Sequence, residues 1–157
     1  MKKDEKFAYS IQITRIKEKD FLARDLKTIE QISDFAEPLR KKDVEWFLIM
    51  YMNGTGQLLG IKLYQGGISE VKIYIREVIK DALVLGAVVM AVAHNHPNDH
   101  YAPSPSDIQV VQDLIRTTQR VDIHLVDAII IGEDDYGKDG YYSFLEHNEM
   151  QIDHDYD

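Results

Sequence analysis

The densest chemistry in this chain lies in one polar run, His94-Asn95-His96-Pro97-Asn98-Asp99-His100-Tyr101-Ala102-Pro103-Ser104-Pro105-Ser106-Asp107. It follows directly on Ala87 to Ala93, a short continuous apolar run of the kind shown by a strand covered on both faces. In extended backbone, residues i and i+2 point the same way, so His94 and His96 can aim both imidazoles at one point while Asn95 faces the opposite side. Two neutral imidazoles are two zinc ligands. The chain then returns to Asp107, in the first turn of the next helix, where a carboxylate also gains from the helix N-terminal dipole. Two imidazoles and one carboxylate leave a fourth tetrahedral position for water, the open geometry of a catalytic rather than a structural zinc site.

A metal-bound water loses its proton far more readily than bulk water, but hydrolysis also needs a base to take that proton and return it to the leaving group. Glu45 is the candidate, because it directly precedes the apolar run Trp46 to Met52, at an element's end. Ser104, three residues before Asp107, could donate to the oxyanion that builds up as water attacks a carbonyl. Ordinary roles stand beside these. Ser before Pro105 at a helix start is a common N-cap, a Glu before a strand is usually just solvated, and a single His near a strand end is more often a satisfied polar residue than a ligand. The set weighs differently: at this composition, His-x-His-x7-Ser-x2-Asp arises by chance in roughly one chain in a thousand, treating positions as independent. His100, His124, His147 and His154 read as structural or solvent-facing. Tyr141, Tyr142 and Phe144 read as core and rim packing.

The elements that must position these residues form a mixed α/β pattern. Ile11 to Ile16 alternates as a strand, and residues 28–40 step at helical intervals through Ile29, Ile32, Phe35, Ala36 and Leu39, with Pro38 near the end. Trp46 to Met52, the Asn53-Gly54 turn and Gln57 to Tyr64 read as a β-hairpin. Arg76 to Leu85 is helical, 87–93 is the buried strand, and Pro105 to Arg120 places Ile108, Val111 and Ile115 on one helical face. Strands near 121–126 and 128–132 and a short one at 141–144 follow. The tail EHNEMQIDHDYD is acidic and expected to be mobile.

Length and composition narrow the possibilities. With 157 residues, 45% hydrophobic and 29% charged, the chain fits one compact soluble domain. No apolar run approaches the roughly 18 to 20 residues of a membrane helix, and MKKDEKFAYS turns polar where a signal peptide would turn apolar. Zero cysteines exclude disulfides, thiol nucleophiles and Cys-type zinc sites, and suit a cytoplasmic location. Charge is segregated: residues 1–93 carry +2 and residues 94–157 carry −11. A half this acidic argues against an extended nucleic-acid track.

The signature His94-x-His96-x7-Ser104-x2-Asp107 resembles that of the JAMM (MPN+) metalloproteases, and its context over about residues 37–145 looks like the RadC branch of that superfamily. The supporting pieces are Glu45, Gly66 and Ile68, then Val71-x-Ile73-Tyr74-x-Arg76-Glu77-Val78. They continue through His94-Asn95-His96-Pro97, Pro103 to Ile108, Val126-Asp127, Ile129 to Gly132 and Ser143-Phe144. The resemblance implies a curved mixed β-sheet flanked by helices, similar in outline to cytidine deaminase. It implies zinc on His94, His96 and Asp107, a general base at Glu45 and an oxyanion-stabilising Ser104. Three departures stand out: Asn98-Asp99 where the pattern has Ser-Gly, Ala128 where it has His unless His124 substitutes, and Ile75 where it has Pro. The helix-hairpin-helix segment of full-length RadC proteins is expected to have no counterpart here, since only some 36 residues precede the match.

Three segments are therefore expected: an extension over 1–36, a RadC-like JAMM/MPN domain over 37–147, and an acidic tail over 148–157. The expected activity is zinc-dependent hydrolysis of a peptide or isopeptide bond, with an unidentified protein or peptide as partner. The rivals are a catalytically silent zinc-holding scaffold, a metal-dependent nuclease associated with DNA repair, and non-haem iron on the same ligands.

Overall fold

A computed structural model of the chain describes residues 24–66 and 68–151, apart from the side chains of 68–73. Among the described residues the elements run α1 (Ile29–Ala36), a 3-10 helix (Glu37–Lys41), β1 (Trp46–Met52), β2 (Leu58–Gln65), α2 (Ile68–Leu85), β3 (Val89–His100), α3 (Pro105–Gln119), β4 (His124–Glu133) and β5 (Asp139–Ser143). The strands form one mixed sheet in the order β2-β1-β3-β4-β5, with β3 and β4 parallel and the other neighbours antiparallel. α3 supplies the crossover that a parallel pair requires. The mixed α/β class expected from the sequence is the class observed. The expected strand at Ile11–Ile16, and His154 with the end of the tail, lie outside the described residues.

Both sheet faces are covered, which explains why β1 and the first half of β3 read as unbroken apolar runs. Phe47, Ile49 and Tyr51 with Met90 and Val92 pack toward α2 and α3. Leu48, Met50 and Met52 with Ala91 and Ala93 pack toward α1 and the 3-10 helix. α1 starts on a capping box between Thr28 and Gln31, and Pro38 falls in the first turn of the 3-10 helix, so the expected helix over 28–40 is split there. Among the described residues no helix is long and apolar enough to cross a membrane.

Three boundaries differ from the sequence reading. α2 begins at Ile68 rather than near Arg76, because the alternating, β-branched stretch 68–75 blurs the helical period. The two strands expected at 121–126 and 128–132 are one strand, β4. A register shift between the pairs Met90–Leu125 and Ala91–Asp127 inserts Val126 as an extra residue, a bulge next to the polar Asp127 at which the sequence reading divides the strand. Finally, β3 does not end at Ala93 but runs through the histidines to His100. Its pairing with β4 is interrupted between Asn95 and His100, where Asn98 takes a left-handed conformation with φ of 52°.

Candidate metal centre

β3 and the start of α3 deliver three of the expected residues to one point. His94 and His96 project from the same side of β3, as period-two alternation requires. His94 is 3% exposed, and its ring lies flat against Phe47, centroids 5.6 Å apart, in the row where β1 and β3 last pair. The two Nε2 atoms are 3.2 Å apart, and each is 3.1 Å from a different oxygen of Asp107. Two bare imidazole nitrogens at this separation repel, so the trio needs a proton or a cation between its members. Ligand atoms bonded at about 2.0–2.1 Å in a tetrahedron lie about 3.3 Å apart, close to the spacings here, so the donor set fits a small divalent cation.

The supporting bonds select the right atoms. His96 Nδ1 donates to the His100 carbonyl at 2.8 Å, which in the neutral ring leaves Nε2 bare and facing Asp107. Asp107 is 1% exposed and closes the α3 capping box: its Oδ2 accepts from Ser104 N at 2.8 Å while its own N–H donates to Ser104 Oγ at 3.1 Å. Burial alone would push the Asp107 carboxyl up, but with no cation bound, hydrogen bonds from both imidazoles when Nε2 carries a proton, and from Ser104 N, hold it well below the usual carboxylate range. Burial would pull the His96 imidazole down, yet Asp107, the His100 carbonyl and the charge of Glu45 raise it overall.

Glu45 comes to the same point from the residue preceding β1. One donor atom from each of Glu45, His94, His96 and Asp107 lies within 4.8 Å of every other. Ser104 sits beside them as the N-cap of α3, so the ordinary role considered for it is present. A hydroxyl that accepts one bond still has its proton to donate, so capping leaves the second role open.

Other expectations resolve individually. His124 lies at the opposite end of the sheet, paired with Val89, and cannot substitute for the imidazole missing at Ala128. The loss of Gly at Asp99 is absorbed because the left-handed residue is Asn98, a type that tolerates it. His147 stacks on Tyr142 at 4.0 Å, and Tyr142 and Phe144 are buried as core, as read. Asn95, 2% exposed, and the His100 carbonyl escape the sequence reading; a backbone carbonyl leaves no residue-type signal. A cavity of about 300 Å³, between α1, the β1–β2 turn and the early part of β4, touches none of the four clustered residues.

Comparison with known proteins identifies the family of the chain. Residues 26–150 match the model of the RadC-like JAB domain. The chain is 33% identical over 136 residues to a UPF0758 protein of Actinobacillus pleuropneumoniae serotype 5b (strain L20), covering 80% of this chain and 62% of the relative. It is 38% identical over 104 residues to the UPF0758 protein YfjY of Escherichia coli (strain K12), covering 66% of this chain and 62% of that protein. The chain thus spans less than two thirds of the length of either relative. A match over most of the described residues, together with a clustered His-x-His and Asp at the end of the central strand, places this chain in the RadC-like JAB domain family.

Proposed function

We propose that His94, His96 and Asp107 hold one divalent cation, zinc by the chemistry of the donor set, and that the chain hydrolyses a peptide or isopeptide bond. The observation that carries this reading is the convergence of Glu45 on the two imidazoles and the buried carboxylate. A cation held by two imidazoles and a carboxylate supplies Lewis acidity, polarising a carbonyl and acidifying water. The chain's residues do the rest. His94 and His96 present Nε2, and Asp107 presents a carboxylate oxygen while its charge is maintained by the bond from Ser104 N. Glu45, half-buried beside them, takes a proton on its carboxylate and passes it to the departing amine. Ser104 Oγ accepts from Asp107 N and directs its own proton toward the oxygen on which charge develops.

The test is Glu45→Gln. Cleavage of a quenched-fluorescent peptide mixture by the wild-type chain is expected, and a chelator should abolish it. In Glu45→Gln, metal content measured by elemental analysis should stay at one equivalent while turnover disappears. Retained turnover would remove Glu45 from the mechanism. A wild-type chain that holds metal yet cleaves nothing would favour the scaffold reading.

A further inference from the structure

β1 and β3 pair as far as the row Phe47–His94 and no further. The next positions, Trp46 and Asn95, are joined by a side chain instead. Asn95 Oδ1 accepts from Trp46 N at 2.7 Å, and Asn95 Nδ2 donates to the Val44 carbonyl at 3.0 Å. The orientation of the carboxamide is forced, since a backbone N–H can only donate and a carbonyl can only accept. These two bonds grip the residues on either side of Glu45. A third bond, from Gly66 N to the carbonyl of Glu45 itself at 2.8 Å, holds the segment from the end of β2.

The chemistry of this clamp is specific to a carboxamide. An ionised Asp has no donor for Val44 O, Leu has neither group, and a hydroxyl lacks the two-headed reach. Its place in the strand matters as well. Lying between His94 and His96, Asn95 necessarily faces the other side of β3, so one tripeptide sends two imidazoles forward and a clamp backward.

We propose that Asn95 is a positioning residue for Glu45, holding residues 44–46 so that the Glu45 carboxylate stays over His94, His96 and Asp107; this rests on the role proposed above for Glu45. His94, His96 and Asp107 are held independently, by the β3 ladder, the His100 carbonyl and the α3 cap. Loss of the clamp therefore releases Glu45 while sparing metal binding.

Cobalt reports this directly, because its visible absorption responds to the groups around the ion. The full chain is loaded with Co2+ as wild type, Glu45→Gln, Asn95→Ala, Asn95→Asp and the control Met50→Ala, a buried cavity on the same sheet face as Asn95. All five should bind one equivalent. The bands of Asn95→Ala should move from the wild-type positions to those of Glu45→Gln, with Asn95→Asp between them, while Met50→Ala lowers the melting temperature and leaves the bands unmoved. On a peptide the wild type cleaves, Asn95→Ala should lower kcat by about 10- to 100-fold at unchanged KM. Wild-type bands in both Asn95 variants beside shifted bands in Glu45→Gln would overturn the positioning role. Unshifted bands in Glu45→Gln would instead show that Glu45 does not stand over the ion, which removes the position that Asn95 is proposed to hold. If Asn95→Ala does not fold, Asn95→Asp alone decides between the two results.

Discussion

The Nδ1 of His96 reaches the carbonyl oxygen of His100 at 2.8 Å, so the ring that faces Asp107 is oriented by the backbone four residues further along the same strand. That carbonyl is in turn placed by the close approach of residues 99–101 to β4. A Cβ added at Gly132 would lie 2.8 Å from the Asp99 carbonyl oxygen and 3.0 Å from the backbone of Tyr101. Gly132→Ala must therefore push this segment away. The expected cost is about 1–3 kcal/mol in denaturant unfolding, as for other overpacked sites. Zinc titration should show weaker binding as well, because His96 loses its orienting acceptor. Unchanged zinc affinity would show that the His100 carbonyl is not needed.

Metal should stabilise the fold by linkage. An ion that binds only the folded chain adds about 2.7 kcal/mol at a free concentration one hundred times its Kd. Adding a chelator is therefore expected to lower the calorimetric melting temperature of the wild type. It should leave Asp107→Ala unmoved, since that variant keeps only two imidazoles. A wild-type transition indifferent to chelator would argue that the cluster holds no ion.

Much of this site is legible in the sequence because its signal is local. His94 and His96 are two residues apart on an apolar strand, Asp107 opens the following helix, and the spacing itself implies convergence. Glu45 is a weaker inference, since only the topology brings the residue before β1 next to the end of β3. Asn95 can be assigned a side of the strand by alternation but not a role, because its partners are 49 and 51 positions away. The strand β4 is misread where Asp127 interrupts an apolar run. Polarity at that position suggests a loop, yet Asp127 is fully buried because Ser143 Oγ, Leu145 N and Ala128 N all donate to it.

Asp127 also gives a pH signature. Burial raises its carboxyl above the ordinary value, and the donated hydrogen bonds only partly offset this. Because the folded chain holds this proton more tightly than the unfolded one, the contribution of Asp127 to stability is complete below the unfolded pKa. It is lost as pH rises through the folded value. The carboxamide introduced by Asp127→Asn cannot titrate, and it keeps the oxygen that accepts from Ala128 N and Leu145 N. The stability of Asp127→Asn relative to wild type, from urea unfolding, should climb with pH above about 4, by at most about 1.4 kcal/mol per unit, and then level off. A flat difference across this range would mean that the carboxyl titrates normally.

The observed cap and the proposed oxyanion donation of Ser104 are separable. As N-cap its hydroxyl accepts from Asp107 N, and removing a cap of this kind costs about 1 kcal/mol. As an oxyanion donor, its removal would lower kcat by about 10²–10³. Ser104→Ala should show both effects, the first in thermal unfolding and the second in turnover. Ser104→Asn separates them, because its carbonyl can cap α3 while its longer amide places a donor differently. Stability is expected to recover in Ser104→Asn while kcat stays depressed. If kcat recovered together with stability, the cap would account for the whole effect, and the oxygen of the substrate would have to find its donor elsewhere.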